Sequence, residues 1–211
     1  KKREILKESL QGKLTPHHKF MLDAIQFNID SIQNKIALID QKIDSLCLPY
    51  NEEISLLQTI PGINRISSAV LVAEIGVDMN IFPTAQHLAS WAGICPGNNE
   101  SAGKVHSGRI TKGDQHLKTA LVECAWAASH VKDCYLRKKY ESLIGRRGKK
   151  RALVAVGHKI LNAAYFIIKY KVPYFELGYD YIDSRRKQSQ AQSYLDKLKN
   201  MGFEVEITQA H

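Results

Sequence analysis

The stretch "ESAGKVHSGRITKGD", residues 100–114, sets two serine hydroxyls, Ser101 and Ser107, among three glycines, three cations (Lys104, Arg109, Lys112) and His106. Barely an apolar residue interrupts it. Hydroxyls and cations among glycines suit contact with an anion, because glycine lets a backbone approach closely and the cations supply opposite charge. The same composition also makes an ordinary solvated connection. The rest of the chain has to decide between them.

Two further stretches point toward an anionic partner. From Lys132 to Arg151 there are nine basic residues (Lys132, Arg137, Lys138, Lys139, Arg146, Arg147, Lys149, Lys150, Arg151) against two acidic ones, Asp133 and Glu141. A few solvated Lys and Arg on a helix are ordinary. A run this dense, with Arg146, Arg147, Lys149 and Lys150 crowded at a Gly-x-x-Gly break, fits phosphates better than a plain wet face. The second is "LLQTIPGINRISSAVLVAEIG", residues 56–76. An apolar helix ends at Ile60, Pro-Gly turns the chain, and a second helix begins near Asn64 or Ser67. Gly62 relieves the backbone at the turn, and the amides of the new helix start are left to point outward. That is the pattern of a helix-hairpin-helix, which holds a DNA phosphate without reading bases. Gly62 and Asn64 are its candidate contacts; a plain helical turn is the alternative.

These segments need a scaffold, and the sequence predicts a mainly α one. Leu22, Ile25, Ile29, Ile32, Ile36, Ile39, Ile43 and Leu46 alternate spacings of three and four. The stripe stays narrow for more than three heptads, with Asn28, Gln33, Lys35 and Lys42 on its flanks, so it reads as a coiled-coil seam. Ile at both seam positions does not favour a simple parallel dimer. Thr15 is the candidate N-cap, Pro16 the first helical residue, and Pro49 the stop. Phe82, Leu88, Ala89, Trp91 and Ile94 read as a core helix and its exit, with Pro96-Gly97 leading into the serine loop. "HLKTALVECAWAASH" reads as a buried helix, and the chain from Tyr135 to Lys171 as two helices broken at Gly145 and Gly148. A helix, a turn at Gly202 and a short alternating strand close the chain. Expected domains are a spacer over 1–50 and a helical domain over 51–211.

Composition excludes some classes. At 211 residues and 44% hydrophobic content the chain can bury one sizeable core and is not disordered. "ALVECAWAAS" and "ILNAAYFIIKY" read as too short and interrupted to span a bilayer, so no membrane partner is expected. Net charge is +9, which favours a polyanion. Cys47, Cys95, Cys124 and Cys134 form no C-x-x-C pair and have no His at metal spacing, so a reducing cytoplasm without disulfides or zinc is expected. The acidic residues are scattered and suggest no metal cage. The opening "KKREILKESLQGK" is charged and lacks an initiating Met, so the chain is expected to continue something upstream.

The ordered set "LLQTIPGI", "FPTAQHLASWAGICPG", "SAGKVHSGRITKGD", "RRGKKRALVAVGHKIL" and "LGYDYIDSR" followed by "YLDKLKNMGFEV" resembles the C-terminal half of the IS-one-ten family transposases, relatives of the pilin-gene invertases. The likeness covers residues 50–211, and the seam matches the family's coiled-coil spacer. It implies a transposase domain that supplies a serine nucleophile for DNA cleavage and strand exchange. The family's RuvC-like domain, with four acidic ligands for Mg2+, is implied to be missing from this chain. A structured bridge RNA is implied as guide, DNA as substrate, and a homo-oligomer as assembly, in a bacterial cytoplasm and beside the nucleoid.

The family's Ser-x-Gly-(Lys) element maps to Ser101, with Gly103, Lys104, Gly108, Arg109, Ile110, Thr111 and Lys112 following. A hydroxyl that attacks a phosphodiester needs close backbone approach, cations for the charge developing on phosphorus, and a base or metal for its proton. His106 is the only nearby candidate for that base; a metal-bound group from the family's RuvC-like domain is the competing source. Ser107 competes as nucleophile, since it too precedes Gly and Arg. Two features depart from the pattern: Glu100 stands where many members carry a second serine, and "TKGD" is one residue shorter. The competing reading is a non-catalytic helical nucleic-acid-binding and oligomerisation module.

Overall fold

The computed structural model describes residues 2–10, 12, 14–95, 99–101, 104–107 and 112–203, with backbone alone for 99–101 and 104–107. The chain divides into two compact units, Lys1–Pro49 and Tyr50–His211.

The first unit holds α1 (Lys2–Leu10) and α2 (Pro16–Cys47). Its long helix starts where the cap residue dictates. Thr15 Oγ1 accepts from the His18 amide at 3.3 Å, and His18 Nδ1 accepts from the Thr15 amide at 3.2 Å. This is a capping box with histidine in the place usually held by Glu or Gln. α2 runs unbroken for 32 residues and ends one residue before the short 3-10 turn Leu48–Tyr50 that contains Pro49. All eight seam residues are 43–59% exposed on the single chain.

The second unit is mainly helical, built around one long central helix. Its elements are α3 (Asn51–Leu57), α4 (Arg65–Ile75), α5 (Ala85–Trp91), β1 (Asn99–Ser101), β2 (Lys104–Ser107), α6 (Gln115–Ala128), α7 (Tyr135–Arg147), α8 (Lys149–Tyr170) and α9 (Tyr181–Asn200). α8 packs against α3, α5, α6 and α7, while α4 closes on α3 and α6. Its buried stripe, Ala152, Val156, Ile160, Leu161, Ala164 and Ile168, follows the helical period and meets Leu117, Leu121 and Ala125 from α6 among others in the core. By length and composition α8 could cross a membrane, contrary to the reading of its sequence in pieces, but half of that window is buried inside the fold. It is a core helix of this unit.

Three other expectations are corrected. The helix break falls at Gly148 alone, where φ is +75°, and Gly145 lies inside α7 with open space around it. Only the first supplies the left-handed backbone that stops a helix. Trp91 is not core: it ends α5 about half exposed, its ring 5.5 Å from that of Phe82. The serine loop contains an antiparallel pair of short strands. The strand expected after Gly202 lies outside the described residues from position 204 on.

The segment 171–180 straps these helices together. Lys171, in left-handed conformation, ends α8 and hydrogen-bonds the buried Glu53 carboxylate of α3. Burial pushes that carboxyl up, but the Lys171 contact and a backbone amide outweigh it and hold it below the ordinary range. The Tyr174 amide donates to Thr59 Oγ1 at 2.8 Å. Glu176 accepts from the Tyr135 amide at 2.8 Å, so a carboxylate from far along the chain sits at the start of α7. Tyr179 donates to Glu141 at 2.5 Å, and Lys138 pairs with Asp183 of α9 at 2.6 Å.

Candidate nucleic-acid interface and serine loop

The serine loop is closed at its base by two glycines. A Cβ on Gly113 would stand 2.4 Å from the Gly93 amide nitrogen, and one on Gly93 would stand 2.7 Å from that of Gly113. Real Cβ contacts do not reach such values, so the two backbones touch only because neither residue carries a side chain. Between them the chain goes out and back through β1 and β2. Their register pairs Ser101 with Lys104, Glu100 with Val105 and Asn99 with Ser107, with an irregularity between Asn99 and Glu100. Ser101 therefore ends β1 beside the connection to β2, across the ladder from Lys104. Ser107 sits at the other end of the ladder. Gly103 and Arg109 lie outside the described residues. Lys112 is exposed next to the glycine closure, and Asp114 caps α6 by accepting from the Leu117 amide at 2.6 Å.

An open cleft of about 430 Å³ lies beside that closure, lined by Ile94, Gln115, Lys118, Thr119, Val122, Glu123 and Val154. Ile94 leaves the loop base, Gln115 opens α6, and Val154 lies in the early turns of α8. Val154 follows Lys150 by four residues, about 6 Å of helix rise. The packing of α6 on α8 thus brings the loop base and the basic junction Arg146–Lys150 to one end of the unit. Arg146 and Arg147 end α7, Lys149 and Lys150 start α8, and all four are exposed. Arg146 and Arg147 suit the negative end of a helix. Lys149, Lys150 and Arg151 occupy the positive end of α8, where cations cost stability, and Gly148 offers no side-chain cap. Helix stability alone does not explain that placement.

Gly62 and Asn64 are not part of this assembly. Asn64 caps α4, its Oδ1 accepting from the Ser67 amide at 2.8 Å while Ser67 Oγ accepts from the Asn64 amide at 2.9 Å. Gly62, at φ +89°, faces the C-terminal end of α6, where an added Cβ would stand 2.5 Å from Ala128 N and Cys124 O. α6 is 14 residues long, so this turn and the serine loop are held at opposite ends of a rod about 20 Å long. Gly62→Ala is expected to lower stability by about 1–3 kcal/mol through positive-φ strain and collision with α6. An unchanged melting temperature would show that the turn does not pack there.

Residues 54–141, which run from α3 through the serine loop into α7, match the family model described as "Transposase IS116/IS110/IS902 family". These residues are a transposase domain of that family. The chain is also 31% identical over 180 residues to the "Pilin gene-inverting protein" of Moraxella bovis, covering 82% of this chain and 55% of that protein. It is 29% identical over 150 residues to the "Transposase for insertion sequence element IS1111A" of Coxiella burnetii, covering 69% and 41% respectively. The chain spans about half the length of the pilin gene-inverting proteins it matches. Within the transposase domain, the sequence singled out the serine loop. It missed the strap and the first turn of α9 that together order α7: Glu176, Tyr179 and Asp183 act on residues about 40 positions away, and no local spacing announces such contacts.

Proposed function

We propose that this chain is the part of a DNA transposase or site-specific recombinase that supplies the serine nucleophile, with Ser101 in that role. The family membership of residues 54–141 carries the reading. It is supported by the hairpin, whose register sets Ser101 across from Lys104. In the step, Ser101 Oγ forms an ester bond to a DNA phosphorus, the bond from phosphorus to one sugar oxygen breaks, and that oxygen leaves with a proton. Lys104, Arg109 and Lys112 neutralise charge growing on the phosphoryl oxygens. Gly62, Asn64 and Gly103 serve as backbone contacts to phosphates, the first two as a helix-hairpin-helix.

Among the described residues no three His, Cys, Asp or Glu side chains come together. These residues do not fit a Mg2+ ion, and the RuvC-like domain that would hold one is assigned to the protein outside this chain. Also part of the proposal are a guide RNA, self-association through the 22–46 seam, and action in the bacterial cytoplasm beside the nucleoid. The deciding experiment is trapping of a covalent protein–DNA adduct by the intact protein on a cognate substrate, because only a nucleophile makes one. An active protein that never yields an adduct overturns the assignment.

The basic junction is tested separately. Charge reversal at Arg146, Arg147, Lys149 and Lys150 is expected to weaken nucleic-acid binding by at least about tenfold and to flatten its salt dependence. An unchanged salt slope would make these residues a solvated face.

A further inference from the structure

Three consecutive cations lie in the first two turns of α7, and the fold treats them differently. Arg137 Nε lies 2.9 Å from Glu141. Lys138 Nζ lies 2.6 Å from Asp183 and 4.6 Å over the Tyr179 ring. Lys139 is half-buried and has no ion pair among the described residues. The charges that act on it are all positive: Lys159 from α8, Arg186 from α9, and Arg146 and Arg147 from the end of α7. Burial first, and then these four cations, hold its ammonium below the ordinary lysine range. The neighbouring carboxylates are committed elsewhere. Glu141 holds Arg137 and Tyr179, while Asp183 holds Lys138 and stands 3.9 Å from Arg186.

The geometry has a definite shape. α7 packs on both α8 and α9; Arg186 of α9 reaches the Asp183 carboxylate that holds Lys138, and Lys159 of α8 and Arg186 both act on the Lys139 charge. Lys139 and Arg146 are seven residues apart, which puts them on one face of α7 about 10 Å from each other. That distance is about three base-pair rises along the axis of a B-form duplex. A half-buried ammonium among like charges costs the folded protein stability, and a row of phosphates removes that cost.

We propose that Lys139, Lys159 and Arg186, continued by Arg146 and Arg147, seat the phosphodiester backbone of a nucleic-acid duplex between α7, α8 and α9. This rests on the reading of the chain as a nucleic-acid-handling transposase, and adds a seat that the basic run around Gly148 does not contain. Arg137 and Lys138, although adjacent in sequence, take no part because each is held by a carboxylate at hydrogen-bond distance, whereas Arg186 stands 3.9 Å from the Asp183 carboxylate that Lys138 already holds.

The test uses the full-length chain, a duplex DNA and a duplex RNA of the same sequence, with affinity measured against salt. The triple variant Lys139→Gln, Lys159→Gln, Arg186→Gln is expected to bind at least one duplex about tenfold or more weakly. Its log–log salt slope on that duplex falls by about 2 to 3, since each lost phosphate contact is worth about 0.9. The duplex whose slope falls is the one the seat holds. Arg137→Gln, which also removes one positive charge, leaves the slope unchanged. The variant's melting temperature does not fall, because the substitutions relieve like-charge repulsion, and Lys139→Arg with Lys159→Arg keeps binding. Wild-type-like affinity and slope of the triple variant on both duplexes overturns the seat while leaving the transposase reading intact. So does a loss of binding that follows a fall in melting temperature and is not rescued by arginine. A wild-type chain that binds neither duplex sinks both the seat and the reading beneath it.

Discussion

In the intact protein, Ser101→Ala is expected to abolish strand exchange and any covalent protein–DNA adduct while leaving nucleic-acid binding within about threefold of wild type. A neutral hydroxyl contributes little to phosphate affinity beside Lys104, Arg109 and Lys112, since charged contacts dominate such binding. In the proposed mechanism the same hydroxyl forms the ester, so its removal leaves no slower version of the reaction. Ser107→Ala is expected to slow exchange modestly. The hairpin register explains the difference: Ser107 pairs with Asn99, two residues before Ser101. That offset is about 7 Å along a strand, too far for one hydroxyl to replace the other at the same phosphorus. On that proposal the 211-residue chain alone is expected to be inactive with Ser101 in place, because the metal-holding domain is assigned to the protein outside it. A dead Ser107→Ala beside an active Ser101→Ala moves the nucleophile six residues along. Activity in both single variants removes the serine mechanism and leaves the chemistry to the acidic domain.

What could be read ahead of the structure had short-range causes. Thr15-Pro16 fixed the start of α2 because a side-chain cap and a proline act within one turn, and Asn64 does the same for α4. The apolar period of "HLKTALVECAWAAS" marked α6 because its buried residues recur at helical spacing. The strands beside Ser101 gave no such signal. At three and four residues, NES and KVHS, they lack the alternation a longer strand shows, and the closure that brings them together depends on Gly93 and Gly113, 20 positions apart. The two glycines at 145 and 148 look alike in sequence, and only the backbone conformation each adopts separates a helix interior from a helix end.

The candidate site was legible in its parts and not in its assembly. Loop and basic run were each visible as composition. Their arrival at one end of the unit follows from α6 lying on α8, a contact between residues some 30 to 40 apart. Likewise, Arg137, Lys138 and Lys139 are indistinguishable as a run of charge. Their separation into matched and unmatched cations comes from Glu141 one turn on and from Asp183, which the strap delivers from the far side of α8 in sequence. Gly62 follows the same rule. Its turn was legible as Pro-Gly between two apolar helices, while its close approach to the backbone of α6, more than 60 positions on, was not.

Replacing Ile32 and Ile36 by Asp is expected to abolish self-association of the chain. α2 carries its eight-residue apolar stripe 43–59% exposed, with no buried residue along its whole length. A soluble helix with one continuous apolar stripe lowers its free energy by burying that stripe, at about 1.5–3 kcal/mol for each Leu or Ile fully removed from water. Within the unit Lys1–Pro49 nothing does so among the described residues. A second copy offers the same narrow stripe, and knobs of one helix fit the holes of the other at the observed spacing. Two aspartates at adjacent seam positions would then have to enter that seam unpaired, which costs more than the surrounding isoleucines recover. Sedimentation at tens of micromolar, on the order of the concentration where weak association becomes visible, should show the wild-type chain as an oligomer and the double variant as a monomer. Helicity should fall with it, because a long isolated helix without a partner frays. Gln33→Asp and Lys35→Asp, on the flanks, should leave the oligomer in place. A wild-type chain that remains strictly monomeric at that concentration sinks the seam, whatever the variants do.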